Sequence, residues 1–156
     1  MLNKNKIEII IVLDNIRSMH NIESIFRTCD AIGDCKIYLC GICATPPSKE
    51  IHKTALGATE YVEWKYFKTT KEALNNLLEI GYSLIAVEQT KDSIDLKKFK
   101  INNRKIALIF GNEVKGVSQD LLEIAEKHIE IPQRGIKKSM NVAVAAGIVI
   151  WKLANN

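Results

Sequence analysis

Three stretches of this chain carry polar, cationic or glycine residues where core packing asks for none: residues 21–33, 111–118 and 131–141. In the first, a helical wheel sets Arg27 roughly opposite a stripe of Ile22, Phe26 and Cys29, so its guanidinium points away from the core. A cation held there suits a phosphate or a developing oxyanion, and a merely solvated arginine is the plainer alternative. Asn21 stands just before the first helical residue, as an N-cap or as a ligand contact. In the second stretch, the run Gly111-Asn112-Glu113-Val114-Lys115-Gly116-Val117-Ser118 joins a strand to a helix. Glycines in such a turn let a ligand approach the backbone, but the spacing fits neither a dinucleotide fingerprint nor a Walker loop. In the third, Arg134, Lys137 and Lys138 precede a helix start, an arrangement that favours an anion, while Ser139 and Asn141 are both able to cap that helix.

The cysteines offer a different chemistry. Cys40-Gly-Ile-Cys43 has the spacing of a redox pair or half a zinc site. It precedes Pro46-Pro47 instead of opening a helix, and no second ligand pair has matching spacing, so no metal site is expected.

The elements that must position these residues alternate in type. Strand-length apolar runs occupy residues 7–13, 36–40, 83–88, 105–110 and 128–131, with helix-period segments at 22–32, 70–80, 118–127 and 141–154. The βαβα order predicts one α/β domain over residues 1–156, built on a mainly parallel sheet with helices on both faces. The last helix is apolar on nearly every side, from Val142 through Trp151, so it must be covered all round, by the monomer core or by a second subunit.

Of 156 residues, 22 are Lys or Arg and 18 are Asp or Glu, a net charge of +4. The pI is near 8.8. Both are compatible with nucleic acid, yet the excess is small and dispersed. The opening residues resemble neither a signal peptide nor a membrane span, so a cytoplasmic protein with reduced thiols is expected.

The three stretches together resemble the SpoU/TrmH branch of the SPOUT superfamily of RNA methyltransferases. Leu13-Asp14-Asn15-Ile16 through Asn21 to Arg27-Thr28-Cys29-Asp30-Ala31-Ile32-Gly33 is similar to the first family motif. Phe110 to Ser118 resembles the second, and Ile129-Glu130-Ile131-Pro132 to Ser139-Met140-Asn141-Val142-Ala143-Val144-Ala145 the third. They occur in family order and span almost the whole chain.

The resemblance implies an α/β domain with a C-terminal deep trefoil knot, S-adenosylmethionine as cofactor and methyl transfer to a ribose 2′-hydroxyl. It places Gly111, Ile131 and Met140 at the adenosyl site, closed by Val87 and Glu88. Arg27 matches the catalytic arginine. Because a guanidinium stays protonated, its implied part is to stabilise the oxygen as it becomes alkoxide-like or to hold the adjoining phosphate. Asn21, Glu113, Ser139 and Asn141 match positions that order Arg27 and the substrate. The implied partners are RNA and a second copy of the chain, with neither DNA nor a membrane. Ser18-Met19, Glu23 and Gln133 depart from common family residues, and the tRNA Gm18 subgroup is also loose at the first of these sites. With no RNA-binding extension domain expected, tRNA is favoured over rRNA, gripped by Arg17, Lys53, Arg134, Lys137 and Lys138. Two other readings are a family member that binds RNA without catalysis and a redox or metal protein built on Cys40 and Cys43.

Overall fold

The computed structural model describes residues 6–46 and 57–155. Seven strands form one sheet in the order β3-β2-β1-β6-β4-β7-β5, and every ladder is parallel. The strands are β1 Glu8–Asp14, β2 Cys35–Cys40, β3 Trp64–Phe67, β4 Ser83–Val87, β5 Ile94–Asp95, β6 Lys105–Phe110 and β7 Lys127–Glu130. The helices are α1 Met19–Ile32, α2 Ala58–Tyr61, α3 Thr70–Glu79, α4 Gln119–Ile124 and α5 Val142–Ala154.

Central strands β1 and β6 read as unbroken apolar runs because helices cover both faces of the sheet. On one face Ile9, Ile11, Leu13, Leu108 and Phe110 pack with Ile22, Phe26 and Cys29 of α1 and with Ala146, Val149, Ile150 and Leu153 of α5. On the other, Ile10, Val12, Ala107 and Ile109 pack with Leu74 and Leu77 of α3 and Leu121 of α4. Parallel strands need crossovers, and these return every carboxyl end to the same edge of the sheet. No helix among the described residues is long and apolar enough to cross a membrane.

Some boundaries differ from those expected. Helix α1 begins at Met19, not residue 22, because Ser18 caps it: its Oγ accepts the Asn21 N–H at 3.2 Å. Asn21 therefore lies inside the first turn and is not the cap. Asn141, not Ser139, caps α5, accepting from Ala143 N at 2.9 Å and Val144 N at 3.2 Å. Helix α4 stops at Ile124, since Ala125 is extended and β7 already starts at Lys127. Elements β3, β5 and α2 had no counterpart in the sequence reading. Strand β3 is a short, half-exposed edge strand of four residues, and β5 has only two.

Candidate functional site

The loop 111–117, following central strand β6, is folded back on itself. Gly116 N donates to Asn112 O at 2.8 Å. The Asn112 side chain closes the turn from within, its Oδ1 accepting from Val114 N at 3.0 Å and Lys115 N at 3.1 Å. Its Nδ2 donates to Asn15 O at 2.8 Å, tying the loop to the end of β1. Two glycines make this path possible. A Cβ on Gly111 would meet the backbone of Gly116 and Val117 within 3.0 Å, and Gly116 has φ of +68°. Glu88, at the end of β4, braces the same loop: one carboxylate oxygen accepts from Val117 N at 2.8 Å, the other from Gln89 N at 3.2 Å.

Beside this loop lies a cleft of about 660 Å³, at the carboxyl ends of β4, β6 and β7. Val87, Glu88, Gly111, Ile131 and Met140 all line it, together with Glu113, Ser139, Asn141 and Lys138. Thr90 is a further lining residue that the sequence reading missed. Its Oγ1 lies 2.9 Å from His128 Nδ1, and His128 Nε2 lies 2.8 Å from Leu122 O. A carbonyl can only accept, so Nε2 carries a proton toward Leu122 O, and the ring is held between that carbonyl and Thr90.

Residues from the three polar stretches meet in one hydrogen-bonded chain. The Glu113 carboxylate accepts from Ser18 N at 3.1 Å, Arg17 N at 3.4 Å and Asn21 Nδ2 at 3.3 Å. Asn21 Oδ1 accepts from Asn141 Nδ2 at 3.1 Å. Each step fixes the next. A carboxylate only accepts, so the Asn21 amide must turn its NH₂ to Glu113 and its oxygen to Asn141, whose own oxygen faces the start of α5. Burial pushes the Glu113 carboxyl upward, but hydrogen bonds from its own backbone N–H, from Ser18, Asn21 and Arg17 outweigh it, so it sits below the ordinary carboxylate range.

Arg27 is not part of this constellation within one chain. It is exposed, makes no ion pair among the described residues and does not line the cleft. Six residues beyond Asn21, it is turned by about 120° around the helix axis. Beside α1, helix α5 leaves Val144, Ile148 and Trp151 exposed at 54%, 40% and 61%, a stripe at helical spacing. Ile148 and Trp151 border an apolar groove with Ala31, Ile32 and Leu96. One side of the apolar helix is thus covered by its own core, while this stripe is not.

Of the expected basic residues, Arg134, Lys137 and Lys138 are exposed on the segment between β7 and α5. Arg17 lines a separate groove across the 111–117 loop, and Lys53 lies outside the described residues. The cysteine pair is built into the backbone of the β1 and β2 ends: Cys43 Sγ accepts from Ile16 N at 3.3 Å, and burial raises its thiol. Burial above all pushes the Cys40 thiol up to about 12, which leaves it protonated and a poor redox nucleophile at neutral pH. Asn15 has φ of +53°, and its Oδ1 accepts from Ile42 N at 2.8 Å across Gly41, where a Cβ would strike that same amide oxygen.

The sequence matches the profile of the SpoU rRNA Methylase family over residues 8–151. A tRNA (guanosine(18)-2′-O)-methyltransferase of Aquifex aeolicus is 31% identical over 155 residues, covering 97% of this chain and 71% of that protein. The crystal structure of the A. aeolicus TrmH/SpoU tRNA modifying enzyme superposes with a TM-score of 0.83 at 29% identity, over 99% of this chain and 77% of that one. An AdoMet-bound rRNA methyltransferase from Sinorhizobium meliloti gives a TM-score of 0.87 at 26% identity. It covers 97% of this chain, which spans 57% of that longer one.

Proposed function

The chain belongs to the SpoU rRNA methylase family, and we propose that it is a cytoplasmic RNA methyltransferase that uses S-adenosylmethionine to methylate a ribose 2′-hydroxyl, of tRNA in preference to rRNA. The observation that carries this is the hydrogen-bonded chain Glu113–Asn21–Asn141, which joins all three polar stretches at the rim of a ligand-sized cleft. The preference for tRNA rests on the A. aeolicus relative, which modifies guanosine 18 of tRNA.

The cleft fits the cofactor on its own terms. Its volume falls in the small-molecule range, and Gly111 leaves bare backbone where a side chain cannot be placed. Gly111, Ile131 and Met140 would hold the adenosyl group, with Val87 and Glu88 at the back, Glu88 chiefly by bracing the loop wall. When bound, S-adenosylmethionine supplies an electrophilic methyl group. Around it, Asn21 and Asn141 present fixed amides, and Glu113 holds Asn21 in orientation. Ser139, on the cleft wall, adds a hydroxyl for the substrate. Lys138 at the rim, with Arg134, Lys137 and Arg17, meets the RNA phosphates; Lys53 is assigned the same part from sequence alone.

Arg27 serves the cleft of a partner protomer. Its place on the outer face of α1, beside the exposed Val144–Ile148–Trp151 stripe, supports a homodimer that covers that stripe and carries each guanidinium across. There it stabilises the 2′-oxygen as negative charge develops, or aligns the neighbouring phosphate. Residues 1–156 act as a single methyltransferase domain. The knot expected of the family is proposed as well, supported by β4 pairing with both β6 and β7.

The test is labelled methyl transfer to unmodified tRNA and, separately, rRNA, read by nucleoside mass spectrometry. A 2′-O-methylnucleoside in tRNA, reduced about 10²- to 10³-fold by Arg27→Ala with cofactor affinity unchanged, is the expected result. Absence of cofactor binding, or a mark on a base, would overturn the proposal.

A further inference from the structure

The loop 111–117 separates two basins along the carboxyl edge of the sheet. One is the cleft at the ends of β4, β6 and β7. The other is a groove of about 890 Å³ at the ends of β1, β2 and β3, which shares Asn112, Glu113, Val114, Lys115 and Gly116 with the cleft as a common wall. Outside that shared wall, the methyl-transfer reading uses the groove only through Arg17.

We infer that this second basin binds the ribose-phosphate backbone of the RNA strand next to the target nucleotide, with Lys68, Lys71, Lys115 and Arg17 as its phosphate contacts.

Four cations line the groove, facing three carboxylates, Asp14, Glu113 and Asp120. The carboxylates are largely spoken for. Asp14 is buried and accepts from Thr70 Oγ1 at 2.5 Å and Asn15 Nδ2 at 3.2 Å, so its donors are already supplied from within the fold. Glu113 is occupied by the donors of residues 17, 18 and 21. Asp120 pairs with Lys71 at 3.4 Å, both side chains being more than half exposed, so the pair is weak and readily exchanged for a phosphate. Lys68, Lys115 and Arg17 make no ion pair with any described carboxylate.

The Asp14–Thr70 bond also fixes what surrounds these cations. It anchors the first turn of α3 to the end of β1, so Thr69, Thr70 and Lys71 form the groove's far side and the positive end of the helix faces in. Asn15, pinned by Ile42 N, holds the floor. An open trough with several cations on both banks suits an extended polyanion better than a small enclosed ligand. Its shared wall puts that polyanion next to the cleft, as a strand with one nucleotide presented for methylation must be.

The inference rests on the methyltransferase reading, and its test separates the two. Binding of a fluorescent single-stranded RNA and, in parallel, of S-adenosylmethionine is measured for the wild type, for Lys68→Ala/Lys71→Ala, and for Lys98→Ala/Lys100→Ala, which removes the same charge from exposed sites outside both basins. Each lost phosphate contact lowers the salt slope by about 0.7 and, at 0.1 M salt, the affinity about fivefold, so the groove pair should lose roughly 25-fold and about 1.4 in slope. Cofactor affinity and the control pair should be unchanged. Wild-type RNA affinity in Lys68→Ala/Lys71→Ala, an equal loss in the control pair, or displacement of RNA by equimolar inorganic phosphate would overturn the groove and leave the methyl-transfer reading standing. Groove-dependent RNA binding without methyl transfer to any RNA would keep the groove and sink that reading.

Discussion

Replacing Gly111 by Ala tests whether the 111–117 loop is a rigid wall. The added methyl would lie within 3.0 Å of the Gly116 carbonyl carbon and the Val117 nitrogen, both backbone atoms, so no side chain can swing aside to relieve it. Those separations are 2.2 Å, so restoring ordinary contact at 3.4 Å requires the methyl and the facing backbone to part by about 1.2 Å. That displacement strains two bonds that hold the turn, Gly116 N to Asn112 O and Val117 N to Glu88, each 2.8 Å long. A neutral hydrogen bond contributes about 1 kcal/mol and one to a carboxylate about 1.5–3 kcal/mol, so a loss of roughly 2–4 kcal/mol follows if both give way. At this chain length that lowers Tm by about 5–15 °C. The cleft should lose S-adenosylmethionine affinity at least tenfold, read by calorimetry alongside circular dichroism to show that the sheet remains. Wild-type Tm together with wild-type cofactor affinity would refute the reasoning, because the loop would then be able to give without cost.

Three other outcomes follow from the same geometry. Glu113 has its carboxyl lowered in the folded state, so its stabilising share is present above the unfolded value, taken as 4.5, and is lost as pH falls through the lower folded one. Denaturant unfolding of wild type and Glu113→Gln should therefore differ at pH 7 and converge in acid, and a gap that widens in acid would contradict the assignment. Asn141→Asp keeps the acceptor that caps α5 but loses the NH₂ that reaches Asn21; unfolding should show stability close to wild type while methyl transfer drops, whereas Asn141→Ala should also cost about 1 kcal/mol. Trp151→Glu places a charge in the exposed apolar stripe, and sedimentation should show the proposed homodimer of the wild type shifting to monomer; a variant that sediments as the wild type does would argue against this stripe as a subunit interface.

What the sequence made legible was the part governed by short-range pattern. The apolar runs located β1, β2, β4 and β6 to within a residue because both faces of the sheet are covered and nothing interrupts them. The helical wheel turned Arg27 outward, as found, while the apolar excess of α5 left its cover open between the monomer core and a second subunit, and the structure leaves Val144, Ile148 and Trp151 exposed. Strand β3 was missed because Trp64-Lys65-Tyr66-Phe67 sits at the sheet edge, half exposed, with no apolar run to mark it. The start of α1 was misjudged because Ser18 and Asn21 are both good caps, and only the fold decides which one is used. The contact between Asn21 and Asn141 spans 120 positions and carries no local signal, so residue type alone offered a cap for each, with a ligand contact as the other reading of Asn21. Asn112 and Asn15 stood within the family-like motifs with no part assigned to them, although asparagine after a strand is well suited to left-handed backbone and to bonding its neighbours' N–H groups.

The packing of Asn15 against Gly41 bears on how such a sequence can change over time. The Asn15 amide occupies the volume that any side chain at position 41 would need, and it does so while fixing Ile42. An alanine arriving first at position 41 meets a filled site on a backbone with φ of +70° and is penalised twice; arriving after Asn15 has shrunk, it is penalised only once, for the backbone. The two substitutions are therefore not additive, and the order in which they occur decides whether the intermediate survives. Positions 15 and 41 form one heritable unit, and descendants of this chain should keep or lose the pair together.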